Sequence, residues 1–221
     1  MLGILTQARA AEVRRLLSVP DPAALQTWAL ELLTDAASPA SVCAAVRHPL
    51  GFVCIPAYRT EGWGLCLHIW GAERRDSAAA PSVHSHTWDL ASYVLCGGLE
   101  NQVVDVVSAA DDATHRVLKI SSIGPLDVIE PTDRLVRCLS PVATRIGPGE
   151  RYGLPARVFH TTIPRESGLT ATVVLGENRY EPPEFVLGAL ESSLRVMLRP
   201  SCEFAELRGL ARSAIDEITR F

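Results

Sequence analysis

Three regimes of hydrophobic patterning divide the chain. Up to about residue 48, apolar side chains recur at helical intervals. Leu5, Val13, Leu16 and Leu17 mark a first amphipathic stretch, which Pro20 ends. Asp21-Pro22 then supplies an N-cap followed by a proline at the first helical position, and Leu25, Trp28, Ala29 and Leu32 form one apolar stripe. Ser38-Pro39 repeats that signal and predicts a shorter helix through Val46. Stripes of this kind pack on the body of the same protein or on a second subunit.

The period changes after His48. Short apolar or alternating runs occupy 51–55, 64–70, 83–88, 91–96, 101–107, 116–120, 134–139, 142–146, 158–163 and 170–175. Turn residues separate them at Gly97-Gly98, Ala110-Asp111-Asp112, Gly147-Pro148-Gly149 and Glu166-Ser167-Gly168. Many short strands joined by such turns predict a sandwich or barrel. Residues 72–80 are small or charged and read as a mobile loop. Pro182-Pro183 marks the exit from the β region. Beyond it Val186, Leu190, Leu194 and Met197 recur at helical spacing, and Pro200-Ser201 opens a last helix with Phe204, Leu207, Ala211, Ala214 and Ile218 on one face. The expected organisation is a helical extension over 1–48, a β-barrel over 49–181, and helices packed on the barrel over 182–221.

Composition narrows the function classes. With 221 residues, 48% of them apolar and 21% charged, the chain can bury a substantial core. A formal net charge of −4 gives no electrostatic reason to expect nucleic acid or an anionic membrane as partner. The six cysteines are scattered without a C-x-x-C pair, so neither a zinc ribbon nor a dense disulfide framework is indicated. The N-terminus lacks a basic-then-apolar signal segment, and no apolar run approaches a membrane span. A reduced, cytoplasmic protein is expected.

The chemistry concentrates in Val83-His84-Ser85-His86-Thr87-Trp88-Asp89. Two histidines one residue apart on an extended segment share a face, because strand side chains alternate. His160, in Val158-Phe159-His160-Thr161-Thr162, lies on another expected strand. Together the three can offer nitrogen ligands to a metal from the inner wall of a small barrel.

This arrangement resembles the cupin superfamily, a jelly-roll barrel with two short motifs. The first is a glycine, five residues, H-x-H, three or four residues, a glutamate, six residues and a glycine. His84-Ser85-His86 supplies the paired histidines and Gly98 the closing glycine, whereas Ala91 holds the glutamate slot and Ala78 the opening glycine. The second is a glycine, five residues, P-x-G-x-x-H, three residues and an asparagine. Gly149, Pro155 and His160 keep that spacing; Arg157 replaces the second glycine, and Pro164 stands at the asparagine. The resemblance covers roughly residues 83–163 and implies a mainly β fold, a single cupin jelly roll with helical additions at both ends. A cupin that keeps three histidines without the glutamate looks like the thiol dioxygenases and related iron oxygenases.

The resemblance therefore implies one divalent metal ion held by His84, His86 and His160. Fe(II) is the first expectation, with Zn, Ni, Mn or Cu also compatible with imidazole. Asp89 sits three residues after His86 on the opposite strand parity. It is expected as a hydrogen-bond partner of a histidine or as a turn cap, and as a ligand only by swinging around a turn. Arg157 is a candidate anchor for a substrate carboxylate, with a surface ion pair as the alternative. Tyr152 and Tyr93 are candidate catalytic donors, and Trp88 and His68 candidate walls of a substrate pocket; core packing is the competing role for the three aromatic residues, and a hydrogen-bonded structural histidine the preferred one for His68. His48 is expected to end a helix, where a cation favours the dipole. The implied activity is oxygenation of a small polar substrate, an amino acid or thiol, with dioxygen as co-substrate. Lewis-acid isomerase, cyclase or lyase chemistry and a binding module without turnover remain open. A homodimer is expected by analogy of fold.

Overall fold

The computed structural model describes residues 5–19, 21–41, 43–71, 83–165 and 168–220. The loop expected over 72–80 lies outside them. Two helices lead, α1 (Gln7–Ser18) and α2 (Pro22–Ala36). Thr6 caps the first through the Arg9 amide, and Asp21 caps the second through the Ala24 amide, with Pro22 at the start. Among the described residues the strands that follow are β1 (Val46–Arg47), β2 (Val53–Arg59), β3 (Trp63–Trp70), β4 (His84–Ser85), β5 (Trp88–Cys96), β6 (Leu99–Val103), β7 (Val106–Ser108), β8 (His115–Ile123), β9 (Leu126–Cys138), β10 (Val142–Ile146), β11 (Arg151–Leu154), β12 (His160–Pro164), β13 (Thr170–Asn178), β14 (Glu184–Gly188) and β15 (Arg195–Leu198). Helix α3 (Phe204–Ile218) closes the chain.

All strand pairs given by the register are antiparallel, and they form two sheets. One runs β1-β2-β3-β13-β5-β11; the other runs β10-β6-β12-β4-β14-β8-β9-β15, with β7 beside β9. The sheets pack face to face. Leu90 and Val174 of the first meet Val103 of the second and Val158 just before β12, and Val94 meets Leu99 and Ile146. The other face of the first sheet carries the helices. There Val53, Ile55, Leu65, Leu67, Ile69, Val173 and Leu175 meet Val13, Leu16, Leu25, Trp28, Leu207 and Ala211 in one continuous core. The expected stripes of α1, α2 and α3 are the faces that this core buries, except Phe204, which stays exposed at the start of α3. Between β5 and β6 the chain crosses from one sheet to the other through Gly97, at φ 72, where a Cβ would come within 2.3 Å of the Leu169 carbonyl oxygen. Among the described residues no helix is long and apolar enough to cross a membrane.

Two helix expectations are corrected. Residues 184–198 form β14 and β15, not a helix. Phe185, Val186 and Leu187 fill the gap between β4 and β8 and bury both faces, so their run of apolar residues carries no strand alternation. Ser38-Pro39 opens a turn, with the Ser41 amide donating to the Ser38 carbonyl, and leads to β1. There the backbone pairs with β2 and with the segment before α3, the Cys202 amide donating to the Ala45 carbonyl and the Arg47 amide to that of Pro200. Those bonds draw 45–47 into the sheet. β11, along the edge of β5, has no counterpart among the expected strands.

Candidate metal centre

β4 is two residues long and lies between β12 and β14. His84 stands directly opposite His160 on β12 and opposite Val186 on β14. His86 follows at the bend beyond β4, its carbonyl accepting the Arg157 amide at 2.8 Å. One ligand atom from each of His84, His86 and His160 lies within 4.8 Å of the others. The ring centroids are 4.4 Å apart for His84 and His160, 4.7 Å for His84 and His86, and 5.1 Å for His86 and His160.

The donor set fits a divalent ion. Burial first, and then the neighbouring His86, lowers His160 to about 4, so its imidazole is neutral and able to ligate. Its Nδ1 lies 3.1 Å from the Val158 carbonyl oxygen, which fixes the protonated nitrogen and leaves Nε2 for a metal. His86 Nδ1 faces Glu184, 3.5 Å from Oε1, and so presents Nε2 in the same way. Trp88 stacks on His86 at 3.9 Å and 20°, and its indole N–H donates to the same Glu184 oxygen at 2.9 Å. Burial alone would raise the Glu184 carboxyl, but the neighbouring His86, the Trp88 indole N–H and the Thr87 amide hold it below the usual range. Glu184 is thus the anion that orients and balances the imidazole site.

Of the two roles expected for Asp89, histidine partner or turn cap, the structure shows the second, and the carboxylate beside His86 is Glu184 instead. Asp89 Oδ1 accepts the Ala156 amide at 2.8 Å, and Oδ2 pairs with Arg179 Nε at 2.6 Å, so it caps the turn before β12 and holds no histidine. Its carboxyl is correspondingly lowered. Ala91, in the empty glutamate slot, packs against the helical core, so a carboxylate there would point away from the histidines.

The other expected residues separate. Trp88 lies beside the centre. Tyr93 faces the helical core on the far side of the sheet, and is no part of the metal face. Tyr152 lies between the sheets beside Ser92 and Thr162, where burial raises its hydroxyl above the ordinary value. His68 stacks on Phe52 at 4.1 Å and groups with Cys54 and Cys66 rather than with the three histidines. Arg157 is exposed at φ 70, its guanidinium 5.0 Å from the Tyr180 ring and 5.2 Å from that of Phe185. It does not line the cavity beside the metal face. The left-handed backbone explains why the cupin motif has glycine at this slot.

That cavity holds about 90 Å³, and among its lining residues are His84, His86, Glu184, His48, Arg199 and Asp127. His48 does not end a helix. It stacks on Phe52 at 4.3 Å, and its Nδ1 accepts the Leu50 amide at 3.2 Å, which leaves Nε2 as a donor. Burial first, and then the neighbouring histidines, lower it to about 3. Arg199 lies 3.3 Å from Asp127, whose other oxygen accepts the Ser122 hydroxyl at 2.7 Å. Glu184, Arg199 and Asp127 had no sequence signal, because strand pairing across the second sheet brings them in.

Neither a protein-family model nor a curated protein matches this chain. Among solved structures it is similar to hydroxypropylphosphonic acid epoxidase from S. wedmorenis (9% identity, 62% of this chain and 55% of that one, TM-score 0.37). It is similar also to an RmlC-like cupin from Shewanella frigidimarina (13%, 62% and 86%, 0.35) and to an oxalate decarboxylase variant from Bacillus subtilis (12%, 62% and 28%, 0.36). The match spans about half of the epoxidase chain. Two antiparallel sheets packed face to face, with three histidines converging on one place, match the jelly-roll architecture expected from the sequence and offer a donor set that could hold a metal ion.

Proposed function

We propose that this protein is a mononuclear non-haem iron oxygenase acting on a small polar substrate, an amino acid or a thiol. The observation that carries the reading is the convergence of three imidazoles, with no carboxylate among the clustered ligand atoms, beside a small cavity that His84 and His86 line together with polar and apolar side chains. An Fe(II) ion held there would supply open coordination positions and one-electron chemistry with dioxygen.

The chain's own groups bind and orient. At about 90 Å³ the cavity takes only a few heavy atoms beyond the ion. His48, kept neutral, offers its Nε2–H as a fixed donor. Arg199, whose buried Nε has Asp127 at 3.3 Å, is the guanidinium placed to receive a substrate carboxylate in exchange for that partner. Glu184 and Trp88 hold His86 in one orientation. Replacing Glu184 by Gln keeps the shape and removes the charge, and is expected to weaken metal binding roughly 10–100-fold in a competition titration.

The deciding experiment is anaerobic purification with elemental analysis, followed by oxygen-uptake assays with added Fe(II) over amino acids and thiols. Uptake that needs Fe(II) and vanishes in His84→Ala and His160→Ala supports the proposal. Turnover without oxygen, with zinc or nickel on the three histidines, overturns it in favour of Lewis-acid chemistry. Binding without turnover on any substrate overturns it in favour of a binding module.

A further inference from the structure

Away from the three histidines, the described residues hold a second place where metal-ligating side chains converge. Cys54 stands on β2, Cys66 and His68 on β3, and one ligand atom from each lies within 4.8 Å of the others. Cys66 Sγ is 3.2 Å from His68 Nε2. The hairpin register produces the cluster. Cys54 and His68 are directly opposite on antiparallel strands, and Cys66 precedes His68 by two residues on the same face. Their neighbours Val53, Ile55, Leu65, Leu67 and Ile69 point into the helical core, so the three face the space between the sheets, where Cys66 packs near Leu90 and Val174. Phe52, stacked on His68 at 4.1 Å, and Trp70, edge-on at 5.9 Å, fix the plane of the imidazole.

We propose that Cys54, Cys66 and His68 form a zinc site distinct from the three-histidine centre. Two thiolates and an imidazole are a donor set that Zn(II) takes, leaving a fourth tetrahedral position for water or a small ligand. Charge singles out a divalent ion. Two thiolates offset its two positive charges, so the filled site is neutral and adds no net charge to this part-buried face. A monovalent ion on the same ligands would leave a buried negative charge. The three imidazoles of the other centre cancel nothing, and there Glu184 stands nearby. Filling the zinc site breaks two S–H bonds, forms two S–Zn bonds and one N–Zn bond, and releases two protons to solvent; no electrons are transferred.

Cobalt(II) titration of the reduced, metal-stripped full chain tests this, because thiolate ligation gives a near-ultraviolet charge-transfer band that imidazoles alone do not. The band is expected in the parent chain, bleached by one equivalent of zinc. It should be retained in the His84→Ala, His160→Ala double variant and lost in the Cys54→Ser, Cys66→Ser double variant. Absence of the band in the parent chain, or its persistence without Cys54 and Cys66, overturns the site. Should the cysteine variants not fold, His68→Gln decides, since it leaves both thiols in place. It must weaken cobalt binding by roughly tenfold or more for the loss of one ligand; unchanged affinity overturns the proposal.

Discussion

Arg157 shows how one side chain departs from a motif without leaving the fold. It holds a left-handed backbone at φ 70, a conformation that costs an L-residue roughly 1–2 kcal/mol. Stacking over Tyr180 and Phe185 returns about 0.5–1 kcal/mol at such an exposed position. Arg157→Ala keeps the strain and loses the stacking, whereas Arg157→Gly relieves the strain but gives the unfolded chain more freedom. The glycine variant should therefore be the more stable of the two by roughly 0.5–1 kcal/mol in urea unfolding, with metal affinity unchanged in both. A difference of the opposite sign would show that the backbone there is not strained. Glu184 carries the complementary lesson: the carboxylate beside the histidines is ninety-six residues from the indole it holds, and no motif spacing points to it.

Strand parity decides which elements can contribute to the centre. On β5, Tyr93 and Leu95 face the helices while Leu90 and Val94 face the second sheet, and Ala91 belongs to the helical side. The missing glutamate therefore cannot be restored at that position. Ala91→Glu should leave metal affinity unchanged in a titration and lower stability by roughly 2 kcal/mol, as a carboxylate enters an apolar core. A gain in affinity would refute the assigned face. The same principle marks what the sequence made legible. Val13, Leu16, Trp28 and Leu207 announced their helices because each helix buries a single stripe. His84, His86 and His160 announced the site because motif spacing survives translation into strand register. β14 was hidden because both of its faces are buried. The cluster of Cys54, Cys66 and His68 was hidden because only the β2–β3 register adds Cys54 to the pair that β3 carries on one face.

For the molecule as a whole, two histidines, the buried His160 and the half-buried His48, couple stability to acidity. In the metal-free fold, burial lowers His160 to about 4 and His48 to about 3, from an ordinary 6.5. Each is a base whose folded form resists protonation, so between about pH 6.5 and 4 the unfolded chain binds more protons than the native one. Stability is fully expressed above that window and falls as the pH drops through it. Urea midpoints measured across the window should decline with acidity, and His48→Gln should reduce the slope by up to one proton. An unchanged slope in that variant would place His48 in a wetter setting than its stacking on Phe52 indicates.

The brevity of β4 has a dynamic consequence. Two residues hydrogen-bonded between β12 and β14 make a ladder with very few rungs, the kind of segment that opens locally while the rest of a domain stays closed. An ion gripping His84 and His160 would add a cross-strand clasp at this narrow point. Amide exchange at Ser85 and Val186 should therefore be fast in the stripped chain and slow in the loaded one, while β3 and β13 exchange alike in both. The metal would then be the fastener of a seam in the sheet as well as an instrument of chemistry.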